Sequence, residues 1–148
     1  MSEENIELTH QVHDAFNRRD IDSFLALIDP NTEWTPYEVW VQGGSPYRGH
    51  DGIRRWWKES FEVLPDLKVE LYAVRDLGSA VVVHGHLRGH GAGSNAPFER
   101  TLWEALEWRE KRQVWGVAFR ERGGGSRSRR AVGVGDVTRA HRPDQAGI

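Results

Sequence analysis

Residues 67–73 read Leu-Lys-Val-Glu-Leu-Tyr-Ala, and at this point the apolar period of the chain changes from that of a helix to that of a strand. Leu67, Val69, Leu71 and Ala73 alternate with Lys68, Glu70 and Tyr72, so an extended segment here has one apolar face. Asp76-Leu77-Gly78-Ser79 then supplies a turn, and Ala80 to Arg88 predicts a second strand. Gly89 to Asn95 is a glycine-rich link, Phe98 to Trp108 a third strand and Val114 to Arg120 a fourth, the last two joined through residues 109–113. Consecutive strands on short connections pair antiparallel.

Upstream of that switch the pattern is helical. Ile6, Val12, Ala15 and Phe16 form a stripe across residues 3–18, with acids at its start. Asn17-Arg18-Arg19-Asp20 breaks it, and Phe24, Leu25 and Ile28 predict a second helix from Ile21 to Ile28 with Asp20 as N-cap. Asp29-Pro30-Asn31 stops that helix, because proline cannot continue it. Thr32 to Tyr37 reads as a short strand and residues 38–49 as a loop with a Gly-Gly-Ser-Pro turn. A third helix runs from His50 or Asp51 to about Val63, burying Ile53, Trp56, Trp57 and Phe61, and Pro65-Asp66 ends it. Helices first and strands later is the α+β order.

Composition narrows the function classes. Of 148 residues 38% are hydrophobic and 28% charged, enough apolar matter for one packed domain. No cysteine is present, which excludes disulfides and thiolate metal sites and suits a cytoplasmic setting. The first residues, Met-Ser-Glu-Glu-Asn, carry no secretory pattern, and the longest apolar run is only the five residues Phe24 to Ile28, so no membrane partner is expected. Residues 1–120 carry a net charge of −5 and residues 121–148 one of +3. A mildly acidic body argues against a nucleic-acid partner. The expected division is a folded domain over 1–121 and a disordered Gly/Arg-rich tail over 122–148, where few large apolar residues occur.

Three stretches carry a resemblance: NIELTHQVHDAFNRRDIDSFLALIDPNTEW (5–34), YRGHDGIRRWW (47–57) and VVVHGHLRGHGAGSN (81–95). In this order and spacing, from about Glu4 to Arg120, the chain resembles the SnoaL-like polyketide cyclase branch of the nuclear transport factor 2-like superfamily. The resemblance implies a cone, a curved antiparallel sheet wrapped around three helices with a pocket inside. It also implies a mostly metal-free and cofactor-free site, and homodimers that pair through the outer face of the sheet. Two features depart from it. Glu110-Lys111-Arg112 stands where relatives usually have an Asp-Gly-Lys hairpin, and the Gly/Arg-rich tail stands where they close with a short helix.

All seven tryptophans lie between positions 34 and 115. Trp fills cores, but an aromatic hollow with few polar groups is also the usual form of a small-molecule pocket. Trp34, Trp40, Trp56 and Trp103 are the candidate walls, with Tyr47 and His50 at the mouth. His50 either faces that mouth or ties the start of the third helix to a neighbouring loop. His84 and His86 share a strand face about 7 Å apart, a spacing suited to substrate hydrogen bonding, to acid/base work or, with Glu104 from the next strand, to a metal; exposed or structural histidines are the other reading. Arg100 and Glu104 share one face of the third long strand with Leu102, while Glu99, Thr101 and Trp103 share the other. Both faces are mixed, so the pattern leaves open which looks inward.

The expected function is therefore a pocket for a small, largely apolar organic molecule. His84, His86, Arg100 and Glu104 are its candidate catalytic groups for metal-free proton transfer: cyclisation, isomerisation or epoxide hydration. The alternative is a non-catalytic ligand-binding or dimerisation module.

Overall fold

The computed structural model describes residues 2–120; the tail expected over 122–148 lies outside the described residues. Two helices, α1 (Ser2–Asn17) and α2 (Ile21–Ala26), lead into strand β1 (Ile28–Thr35). A short helix α3 (Tyr37–Gln42), a two-residue strand β2 (Tyr47–Arg48) and the long helix α4 (Gly49–Val63) follow. The chain then lays down β3 (Lys68–Asp76), β4 (Val81–His90), β5 (Pro97–Arg109) and β6 (Arg112–Phe119). These form one curved, unclosed six-stranded sheet in the order β2-β1-β6-β5-β4-β3.

Three details differ from the reading of the sequence. The strand after α2 begins at Ile28 and passes through Pro30, because the register between β1 and β6 shifts between Ile28 and Glu33. Proline has no N–H for a ladder, and an irregular stretch asks for none there. The supposed loop 38–49 contains α3 and β2. Six residues are too few to show a period, and the helix ends at Gly43, whose φ of 73° is the left-handed conformation that glycine adopts without strain. Finally, β1 pairs with β6 in parallel, so the sheet is mixed; every other pair is antiparallel, as expected.

The core lies between the helices and the concave face of the sheet. α1 buries Leu8, Thr9, Val12, His13, Ala15 and Phe16 along one stripe. At its end the Asn17 amide pairs with the edge strand as a backbone would: Nδ2 donates to the Val69 carbonyl at 2.8 Å and Oδ1 accepts from the Val69 N–H at 2.9 Å. Asp20 caps α2 as expected, accepting from the Ser23 N–H at 3.1 Å. α4 sends Trp56, Trp57 and Phe61 against Phe16 and Phe24, with ring centroids 5.0–6.1 Å apart in the closest pairs.

Two glycines shape the concave wall. Gly85 stands opposite the register shift between Leu71 and Ala73, where a Cβ would collide with the Glu70 carbonyl. Gly116 pairs with Trp34, and a Cβ there would come within 3.1 Å of the indole. Absence of a side chain on β6 lets Trp34 lie across the strand and face inward.

Candidate ligand cavity

Strand parity decides which side chains can meet a ligand. Along β5 the inward series is Arg100, Leu102, Glu104 and Leu106, which border a cavity of about 470 Å³ between sheet and helices. Val12, Phe16, Phe24, Ile28, Trp34 and Ile53 are part of its remaining apolar wall. Trp34 is buried beside Trp56, its ring edge-on at 5.4 Å and 71°. Its indole Nε1 has no acceptor among the described residues.

Three buried polar residues lie in this wall, Gln113 and the pair His13 and Glu104. His13 of α1 and Glu104 of β5 approach at 2.7 Å, Nε2 to Oε1, with both side chains 11% exposed. The other imidazole nitrogen, Nδ1, lies 2.7 Å from the Thr9 carbonyl, which can only accept, so Nδ1 carries a hydrogen. Nε2 and Oε1 therefore share one further proton. Burial disfavours the charged imidazole, but the Glu104 carboxylate, by charge and hydrogen bond, and the Thr9 carbonyl outweigh it and hold His13 above its ordinary value of 6.5. Thr9 is itself fixed, accepting from the Trp108 indole N–H at 2.9 Å and donating to the Asn5 carbonyl at 2.8 Å. The second Glu104 oxygen, Oε2, makes no hydrogen bond among the described residues.

Arg100 stands at the mouth. Its guanidinium lies 4.3 Å over the Tyr37 ring and 5.2 Å from that of Phe98, and Nη2 donates to Glu38 at 2.8 Å. Tyr47 also borders the cavity, donating its hydroxyl to Glu59 at 2.7 Å. That hydrogen bond and burial raise the phenol above its ordinary value of 10.0, so it stays protonated at neutral pH.

Other expected site residues are placed elsewhere. His84 and His86 point from the face opposite Glu104, because His84 pairs with Trp103 and Glu104 with Val83. His84 stacks on Trp103 at 4.2 Å, Tyr72 packs against both histidines, and His86 lies 3.3 Å from Glu99. The set His84, His86 and Glu104 is thus divided by the sheet and cannot share a metal or a substrate atom. Trp40 is 38% exposed on α3 and does not border the cavity. Trp103 borders it, but its ring is engaged with His84 and Phe119. His50 ties α4 to β1, its Nε2 donating to the Ile28 carbonyl at 2.7 Å.

Reading the sequence missed His13. The available signal was a titratable residue one turn after Thr9 on the stripe that also carries Val12 and Phe16. Its partner is 91 residues away, which no local pattern reveals.

Residues 9–129 match the sequence profile of the SnoaL-like domain. The chain belongs to the SnoaL-like domain family. No curated protein matches it. Among solved structures, this SnoaL-like chain is similar to TerC co-crystallised with polyporic acid: 21% identity over 78% of this chain and 89% of that one, with a TM-score of 0.68. A SnoaL-like polyketide cyclase candidate from Jannaschia sp. CCS1 superposes with a TM-score of 0.70 at 17% identity, covering 80% and 85%. A hypothetical protein with a ketosteroid isomerase-like fold from Catenulispora acidiphila, in complex with trimethylamine, gives 0.67 at 15%, covering 77% and 85%. At these identities the likeness establishes the nuclear transport factor 2-like fold. No helix among the described residues is long and apolar enough to cross a membrane.

Proposed function

We propose that this SnoaL-like domain binds a small, largely apolar organic molecule in the cavity and that the His13–Glu104 pair moves a proton on it. The observation that carries this is a hydrogen-bonded, nine-tenths buried His–Glu pair in a cavity wall that is mostly aromatic and aliphatic. Oε2 of Glu104 is the oxygen left over to accept a proton from a ligand C–H. Returning that proton to another atom of the ligand completes an isomerisation or cyclisation without a metal. Solved relatives held with polyporic acid and with trimethylamine support a small organic ligand.

The partner proposed for the outer face of the sheet is a second copy of the chain. Support comes from half-buried Val82, Trp103 and Val114 on that face and from exposed Tyr72 beside them.

The test is a fluorescence and thermal-shift screen with terpenoid, steroid and polyketide-like ketones, followed by deuterium exchange of each bound ketone's α-hydrogens. Trp34 and Trp56 report binding directly. Glu104→Gln should keep the ligand and slow exchange by about 10²-fold or more. Flat responses across the screen would remove the pocket reading, and undiminished exchange in the variant would remove the proton-transfer reading.

A further inference from the structure

The charged side chains bordering the cavity are unequally committed. Glu104 is bonded to His13, Glu59 accepts from Tyr47, and Glu38 accepts from Arg100. Arg100, by contrast, uses one of its N–H donors; the others have no partner among the described residues. A guanidinium carries five donors in a planar fork that matches a carboxylate bidentately. Here the guanidinium carbon lies 4.3 Å from the Tyr37 ring centroid and 5.2 Å from that of Phe98, contacts that restrict the side chain before anything binds.

We propose that Arg100 is the docking point for a carboxylate on the ligand, and that Glu38 is an internal carboxylate competing for the same guanidinium. This rests on the reading of the cavity as a ligand site. Glu38 is 61% exposed and reaches Arg100 through a single contact, whereas the Arg100 side chain is 27% exposed. An ion pair of that kind is weak, so an incoming carboxylate that engages two N–H groups displaces Glu38 into water at little cost. Arg100 and Glu104 lie four residues apart on one strand face, a span of about 13 Å. The ligand class is accordingly an elongated apolar monocarboxylate of two to four rings. Its acid group sits at the mouth and its reacting end reaches the His13–Glu104 pair.

The experiment uses the full chain at fixed ionic strength and three skeletons, naphthalene, biphenyl and steroid. Each is offered as its acetic or carboxylic acid, the primary amide and the corresponding amine, with binding followed by tryptophan fluorescence and calorimetry. For at least one skeleton the acid should bind tenfold or more tightly than its amide. Arg100→Gln should bring the acid's Kd to that of the amide, and Glu38→Ala should tighten the acid several-fold by removing the competitor. Circular dichroism and Tm check that both variants fold. Equal binding of acid and amide, tighter binding of the amine, or a preference that survives Arg100→Gln would overturn the proposal while leaving the pocket intact. If no member of any set binds, the pocket reading fails and the proposal with it.

Discussion

On the inner face of the sheet Glu104 meets His13 at 2.7 Å with both side chains 11% exposed; on the outer face Glu99 meets His86 at 3.3 Å with the carboxylate 69% exposed. The chemistry of the two pairs is the same, and the surroundings are not. Water screens the outer pair and replaces either partner when the other is lost. The inner pair is buried, so loss of Glu104 leaves His13 without the carboxylate that favours its charged form. Strand parity, which puts residue 104 on one side and residues 84 and 86 on the other, separates a candidate proton-transfer site from a surface aromatic stack.

We expect the largest break in this comparison from Glu104→Ala, which leaves His13 buried without its partner. Destabilisation of about 3–5 kcal/mol is expected in denaturant titrations, with Glu104→Gln closer to the parent because it keeps a hydrogen-bonding group. A Glu104→Ala variant as stable as the parent would mean that water reaches the inner pair as freely as the outer one.

A smaller effect is expected on the other face. His84→Ala removes a ring stacked at 4.2 Å on Trp103, worth about 0.5–1.5 kcal/mol beyond its area. The double substitution with His86→Ala should stay within about 2 kcal/mol of the parent by the same measure. It should also leave ligand binding and α-hydrogen exchange intact. Loss of exchange in that variant would move the chemistry to the outer face and reverse the comparison.

Much of this architecture is legible in the amino-acid sequence alone. The period change at Leu67 marks where helices give way to strands, and the four-residue spacing puts Arg100 and Glu104 on one face. Trp34, Trp56 and Tyr47 border the cavity as the aromatic pattern suggests. What stays hidden depends on long-range pairing. The parallel contact of β1 with β6 joins segments some eighty residues apart. Helix α3, which brings Tyr37 and Glu38 to Arg100, is too short for a periodic signal. His84 and His86 attract attention because a spacing of two is visible in a strand; His13 does not, because its significance lies in a carboxylate from another element.

The most direct test of the central claim, that an isolated His13–Glu104 pair holds a proton in the cavity wall, is the nitrogen NMR titration of His13. Because its folded pKa is raised, the stability gained from protonating His13 is complete below the ordinary value of 6.5 and is lost as pH rises through the higher folded value. We predict that His13 titrates above 6.5 in the parent and that Glu104→Gln moves its titration downward. A His13 that titrates at or below 6.5 in the parent, or one unmoved by Glu104→Gln, would contradict the claim.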